Sequence, residues 1–593
     1  MTHCLSYGRA VVISSMAAAL LSLAACTHHA AGSGGAAIRG GGNSGAAASG
    51  GWNSFTGRFI EDYFKAHPFF AAQSGRHEFD GQMGDWSAAG LQAEIARLRV
   101  QRAAAASFAD AGLTSGQRFE RDYLLSVIDG ELFWMEQARF PFTNPAWYID
   151  RMDPELYVSR PYAPLAKRLA GYIGYARAIP RIAADIRANL RTPLAKPLLE
   201  RGIDGFSGFA TFFRDDVPKV FAAVQDPAVQ KELADVNAAA ARAMDELTAW
   251  LVSQRAGATD SFELGAPRFS LMLQQTEAVN VSLADLKAVG EADMERNERA
   301  LAAACAQLLP KGTIQACADK ENADKPQGGV VDAARAQLTQ LKAFVTAKQV
   351  VTIPGSEEAL VAEAPPYMRG NFAYINIPGP YDNAVPSTYN ISPPDPRWSP
   401  AERAAYIPGK ASLLFTSVHE VWPGHFLQFL HANRNPSKIA ALWVGNGYAE
   451  GWAHYCEEMM WEEGLGAGDP EVHVGQILEA LLRDARFLSA IGLHTEGMTL
   501  AQSETMFRER AHADPGNARQ QAARGTYDPS YLIYTMDKLM IRKLRSDWVA
   551  AHLAPGADPK SEWQAFHDQF LSYGGPPVPL VRKAMVGDTG TLF

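Results

Sequence analysis

From Trp52 onward, apolar residues recur three, four and seven positions apart. Trp52, Phe55, Phe59, Ile60, Tyr63 and Phe64 fall on one face of a helix. Ala-, Leu- and Arg-rich stretches at about 87–109, 115–138, 163–192, 196–215 and 217–255 continue that pattern. They lack β-branched alternation and are separated by short Pro or Gly breaks, so the spacing predicts helix after helix with no clear repeat. Further helices are expected over 282–308, where Ser282 precedes Asp285 in a capping-box-like start, and over 436–463, 470–495 and the stretch opened by Thr499 and Gln502. Ser399-Pro400-Ala401-Glu402 is a helix start of the N-cap, Pro-first kind. Residues 350–392 change character. Val350–Pro354, Phe372–Ile377 and Tyr389–Ile391 are short β-prone runs bounded by Pro and Gly. The pattern as a whole predicts a mainly α protein with one small β-sheet.

The N-terminus stands outside this pattern. Arg9 is followed by a mostly apolar run, Ala10 to Leu21, too short to span a bilayer comfortably. Leu23-Ala24-Ala25-Cys26 then resembles the bacterial lipoprotein processing site, at which the Cys is lipidated and becomes the first residue. The expectation is a signal segment 1–25, a lipid anchor at Cys26, and a Gly/Ala/Ser-rich tether over 26–51 that cannot bury a core. An ordinary secretory cleavage is the alternative. Thr27 rather than Asp follows the Cys, which favours the inner leaflet of the outer membrane. The remaining 52–593 divides into a helical scaffold half, about 52–280, and a half from 281 onward that carries the candidate chemistry.

Composition changes this picture little. Apolar residues make up 47% of the chain, ample for a large core, and the net charge is −9 without a basic cluster, which argues against a nucleic-acid partner. Cys305 and Cys317 flank the turn Pro310-Lys311-Gly312, and in an exported protein they are expected to pair. Cys456 is expected to be a buried free thiol. Nothing in the chain sets an oligomeric state.

The chemistry concentrates in His419-Glu420-Val421-Trp422-Pro423-Gly424-His425 and in Tyr448-Ala449-Glu450-Gly451-Trp452. Two imidazoles and a carboxylate are the ligand set of a catalytic zinc site, and a further carboxylate is its proton acceptor. The usual arrangement is H-E-x-x-H on one helix face. Here the histidines are six apart and would diverge by about 120° on an ideal helix. Pro423-Gly424 interrupts the ladder, so the stretch reads as H-E-x-x-H with two residues looped out. Glu450, His454 and Glu457 share one face of the following helix, and one of the three is expected to meet the metal.

The blocks H-E-x-x-P-G-H and Y-x-E-G-W-A-x-Y-x-E resemble the bacterial family called domain of unknown function 885, grouped on motif grounds with gluzincin-type zinc peptidases. The interrupted motif is similar to that of dipeptidyl peptidase III, which carries a one-residue insertion. The resemblance covers most of the chain after the tether and is sharpest from about Pro365 to Arg545. It implies a zinc-peptidase-like helical domain with a deep cleft and a small sheet beside the metal helix. It favours Glu450 as third ligand, with His454 the rival, and leaves Glu457 to bond a ligand histidine and fix its tautomer. His494 resembles the histidine that helps hold the reacting carbonyl. Where the family usually has an acid, this chain has Ala490. Counting back from Leu544-Arg545 places the family's tyrosine at Tyr534, with Tyr531 the alternative, as the donor to a developing oxyanion. Tyr367 and Arg369 lie in a similar block without an assigned role.

The combined expectation is a periplasmic, lipid-anchored zinc metallopeptidase acting on peptides. Zn²⁺ would be held by His419, His425 and Glu450, with Glu420 as the general base. Two alternatives stand beside it: an inactive peptide- or glycan-binding lipoprotein, and a helical glycoside hydrolase using Glu450 and Glu457.

Overall fold

A computed structural model describes residues 44–364, 372–382, 384–394, 396, 398–587 and 590–593. The expected signal segment, Cys26, Tyr367 and Arg369 lie outside the described residues. The fold is mainly helical, with one three-stranded sheet among the described residues.

The helices run where the apolar periodicity and the caps direct them. Lys196–Asp215 and Pro470–Thr495 are continuous over the expected spans. Thr114 with Gln117, and Thr499 with Gln502, close full capping boxes. The stretch 217–255 divides into Val217–Val220 and Pro227–Gln254. Asp226 restarts the second piece by accepting the N–H groups of Ala228 and Val229. The first helix, Ser44–Ala66, begins inside the stretch expected to be a tether. Its alanines continue backward the amphipathic segment that starts at Trp52.

Two hydrophobic cores result. One is built mainly from Trp52 to Leu251 and the other mainly from Leu264 to Val581. The expected helix 436–463 is split between them. Lys438–Leu442 and Trp443 belong to the first core, and Asn446–Glu462 belongs to the second. Trp443 packs 5.0 Å from the Tyr63 ring and 5.6 Å from that of Phe59, and its carbonyl accepts the Tyr123 hydroxyl. Burying this indole across the boundary is what breaks the helix.

The sheet has the order β1 (Leu360–Glu363), β3 (Thr388–Ile391), β2 (Ala373–Asn376). β1 lies parallel to β3 and β2 antiparallel to it. The β-prone run at 350–354 is not a strand. Its backbone is taken by side chains instead: His567 donates to the Val350 carbonyl at 2.7 Å, and Asp568 accepts the Thr352 N–H at 2.7 Å. In β2, the Phe372 carbonyl accepts the Ser392 N–H, so residues 372, 374 and 376 bond to β3. Ala373 and Ile375 therefore turn their N–H and C=O groups to the opposite edge, along which no strand among the described residues pairs. Ile375 packs into the second core. Asn376, on the other face, accepts from Arg160 at 2.7 Å and donates to Glu155, tying the sheet to the first half.

Candidate metal centre

The two histidines sit on two helices, not on one bulged helix. Lys410–Glu420 stops after Glu420, and His425 opens the next helix, His425–Asn433. Pro423 cannot donate into the ladder, which is why the first helix ends. Gly424 folds the break back tightly: its N–H donates to the Val418 carbonyl at 3.0 Å. A Cβ there would lie 1.8 Å from the His419 carbonyl oxygen and 2.4 Å from that of Val418. The glycine is required for this close approach. The helix Asn446–Glu462 braces the break from the side. Trp452 Nε1 donates to the Pro423 carbonyl at 2.9 Å, and the buried thiol of Cys456 contacts the same oxygen at 3.7 Å.

The break brings the imidazoles together, with ring centroids 4.7 Å apart and planes at 89°. One carboxylate oxygen of Glu450 lies 3.3 Å from His419 Nε2 and 3.6 Å from His425 Nε2. Ligand atoms of all three residues fall within 4.8 Å of one another. Two donors each about 2.0–2.1 Å from a tetrahedral ion stand about 3.3 Å apart, so this spacing could accommodate a shared metal ion. The hydrogen bonding agrees. Neither Glu450 oxygen makes a well-aligned hydrogen bond among the described residues, although the side chain is buried, and its close charged neighbours are the two imidazoles. A buried carboxylate left without donors is costly unless a cation satisfies it. Burial works against its charge, but the two imidazoles hold the Glu450 carboxyl well below the usual carboxylate range. The residues fit the metal expected from their types.

A second layer of buried charge fixes this arrangement. Glu457 Oε1 lies 2.7 Å from His419 Nδ1, which donates to it, so that Nε2, facing Glu450, is the ring nitrogen that would ligate an ion once it gives up its proton. The same oxygen is 3.3 Å from Arg483, whose guanidinium also pairs with Glu479. Burial opposes charge on His419, yet the Glu450 and Glu457 carboxylates lift its imidazolium to about 9. Glu457 is thus committed to holding His419 and Arg483. It is fully buried and unsuited to act as one of a pair of carboxyls on a sugar bond. His454 Nδ1 is 3.3 Å from the other Glu457 oxygen and does not join the three-residue cluster. Burial, with Lys538 nearby, drops its pKa to about 4.

Glu420 ends its helix, half-buried, beside the cluster. Burial raises its carboxyl pKa, the charges of His425 and His419 pull it down, and Glu450 adds to the rise. The Tyr534 ring lies 6.5 Å from that of His419 with the planes at 21°. Tyr531 is buried one turn earlier, its hydroxyl packed against Gly525. His494 is placed differently from the expectation. Its Nδ1 accepts the Leu264 N–H at 3.2 Å and its Nε2 donates to the Gly525 carbonyl at 2.7 Å. Both ring nitrogens are occupied by backbone. Eleven residues beyond Arg483 on the same helix, it lies about 16 Å further along the axis. It is a core histidine, held neutral by burial with its pKa down to about 4. Cys305 and Cys317 form the expected disulfide.

Sequence reasoning singled out Pro423-Gly424 but missed Arg483 and Arg524 as parts of the site. The available signal was an arginine pair inside an apolar helix, Arg483 and Arg486 in Leu481-Leu482-Arg483-Asp484-Ala485-Arg486. It also missed a buried carboxyl pair behind the Glu450 helix. Glu277 and Asp537 both approach Gly447, at 2.3 and 2.9 Å from where a Cβ would sit. Burial raises Asp537, and Glu277 adds to the rise. Burial lifts Glu277 to about 7.

A family model described as "Bacterial protein of unknown function (DUF885)" matches residues 68–585. No curated protein matches the sequence. Two solved structures share the fold. One is a candidate lipoprotein of unknown function from Shewanella oneidensis, 24% identical, with a TM-score of 0.74 over 90% of this chain and 99% of that one. The other is a candidate lipoprotein from Colwellia psychrerythraea, 18% identical, with a TM-score of 0.74 over 91% and 98%.

Proposed function

We propose that this chain, which belongs to the bacterial protein family of unknown function DUF885, is a zinc-dependent peptide hydrolase, a reading supported by the geometry of its His419, His425 and Glu450 cluster. His419, His425 and Glu450 would hold the ion, and zinc bound there supplies a Lewis acid that activates water and polarises a carbonyl. Glu420 accepts the proton of the attacking water and passes it to the departing amine, a task suited to a carboxyl whose pKa burial has raised. The Tyr534 phenol donates to the oxygen that becomes negative, an interaction worth about 3 kcal/mol when made only in the transition state. Arg524 Nη2, 3.5 Å from the Tyr534 oxygen, keeps the phenol in place. The outer edge of β2, where Ile375 and Ala373 direct their backbone groups, receives an extended peptide as an added strand.

One observation carries this reading. The buried Glu450 carboxylate faces two imidazole nitrogens at 3.3 and 3.6 Å, and the ring of His419 is held from its other nitrogen by Glu457. The test is a peptide-library digest by protein purified without chelators, read by mass spectrometry with and without a zinc chelator. Chelator-sensitive cleavage supports the reading, and cleavage that survives complete removal of the metal refutes it.

The proposed setting is the periplasmic side of the outer membrane, with the chain anchored by lipid at Cys26. The Leu23-Ala24-Ala25-Cys26 quartet supports it, as do the lipoprotein descriptions of the two structural neighbours. No described helix is long and apolar enough to cross a membrane. Metabolic labelling with palmitate checks the anchor: label should enter the native chain and not Cys26→Ser.

A further inference from the structure

β2 is built into the second core but gripped by the first half of the chain. Ile375 packs in one core with Phe415 and Val418 of Lys410–Glu420, the helix that carries His419 and Glu420. Asn376, on the opposite face, is buried against two residues of the first half. Its Oδ1 accepts from Arg160 Nε at 2.7 Å, and its Nδ2 donates to Glu155. Arg160 is itself fixed, since its Nη1 donates to the Gln73 carbonyl at 3.1 Å. The chain beyond β2 stays on the same surface. The Tyr381 N–H donates to the Ser74 carbonyl at 3.1 Å, and Asp382 lies 2.9 Å from His77 Nε2. A Cβ at Gly379 would fall 2.2 Å from the Ser74 carbonyl oxygen, so the two segments meet backbone to backbone.

Arg160 offers only donors and Glu155 faces the amide as an acceptor, so the side chain between them must accept on one side and donate on the other, as a carboxamide does. Taking two charged groups out of water to grip one amide carries a desolvation penalty. What the grip fixes is an orientation. The Ile375 carbonyl, which points to the outer edge, shares a planar peptide unit with the Asn376 nitrogen, so turning Asn376 turns that carbonyl. We propose that Asn376 is a positioning residue for the substrate: with Arg160 and Glu155 it sets the outer edge of β2 at the angle at which an extended peptide can pair with it and run past the proposed ligands. The inference rests on the reading of that edge as the peptide-binding one, and adds which residues hold it. It can be tested without turnover.

The probes are acetylated pentaalanine amide and the same peptide with its backbone nitrogens methylated, which cannot donate to a strand edge. Binding is measured by calorimetry on zinc-loaded Glu420→Gln protein, and cleavage by mass spectrometry on protein with Glu420 intact. The plain peptide should bind at least about ten-fold tighter than the methylated one. Asn376→Asp sets a second carboxylate against Glu155 and should remove that advantage while one zinc per chain remains. Adding Glu155→Gln returns the missing donor from the other side, with Arg160 still facing an acceptor, and should restore most of the advantage. In turnover, Asn376→Asp should raise KM at least about ten-fold with kcat within about three-fold of native, the split expected of lost uniform binding. An undiminished preference in Asn376→Asp, or a double variant no better than the single one, overturns the positioning role, even if the native protein cleaves the peptide and the hydrolase reading stands. Equal binding of the two probes by the protein that keeps Asn376 overturns it as well. A preference that follows the Asn376–Glu155 exchange without any cleavage keeps the positioning role and removes the hydrolase reading.

Discussion

If the proposed zinc centre is right, adding one methyl group at Gly424 should abolish its metal binding. The Cβ of Gly424→Ala would sit 1.8 Å from the His419 carbonyl oxygen and 2.4 Å from that of Val418, where real Cβ contacts stay beyond 3.0 Å. Both atoms are backbone in the turn that carries a ligand, so neither can swing aside as a side-chain tip does. The break must open by more than about 1 Å between His419 and His425, well past the roughly 0.5 Å within which a functional constellation has to be held. Zinc affinity should fall by at least about 100-fold, comparable to or worse than losing a ligand-orienting group. The metal-free protein should lose about 1–3 kcal/mol, the range for forcing extra volume into a packed site. Chelator-competition titration reads the first quantity and urea unfolding of the metal-free chain reads the second. Gly208→Ala is the control, since nothing lies within 4 Å of its Cβ position in the helix Lys196–Asp215. It should keep zinc and gain up to about 1 kcal/mol. Native zinc affinity in Gly424→Ala would refute the view that this break sets the ligand geometry.

Three further outcomes follow from the same framework. Glu457→Gln removes the charge that His419 and Arg483 both face, so zinc affinity should drop by about 10–100-fold in a competition titration, and an unchanged affinity would contradict the assigned role. Glu420→Gln should keep one zinc per chain by elemental analysis while peptide turnover falls by at least about 100-fold, and retained turnover would remove Glu420 as the base. The Glu277–Asp537 pair has raised pKa values, so the folded state holds protons that the unfolded state releases, and stability should decline as pH rises from about 4.5 through about 7. At most about 3 kcal/mol is involved for Glu277. Asp537→Asn should flatten the fall in melting temperature between pH 5 and pH 8, and identical slopes in the two proteins would exclude the pair as its source.

The helical fold was legible in the chain because apolar spacing and caps are local signals. Lys196–Asp215 and Pro470–Thr495 carry both in plain form. What local pattern could not supply was competition from distant partners. Val350–Pro354 has the composition of a strand but gives its backbone groups to His567 and Asp568, more than 200 residues away. β1, Leu360–Glu363, has no such composition and becomes a strand because β3 lies alongside it. At the centre, the meeting of His419, His425 and Glu450 rests on residues with recognisable spacing. The site of His494 does not: a buried histidine satisfied by two backbone groups and one poised at a carbonyl look alike in sequence. Arg483, Arg524 and Asp537 were invisible for a related reason, since a charge inside an apolar helix gives no indication of which charge it faces.

The most direct measurement is X-ray absorption at the zinc edge, on native protein loaded with one equivalent of zinc and on the His425→Ala variant. The native spectrum should show two imidazole nitrogens and carboxylate oxygen at about 2.0–2.1 Å, and the variant should lose one imidazole together with most of its zinc. Failure of the native chain to retain stoichiometric zinc, or the same first shell in both proteins, would contradict a centre built from His419, His425 and Glu450.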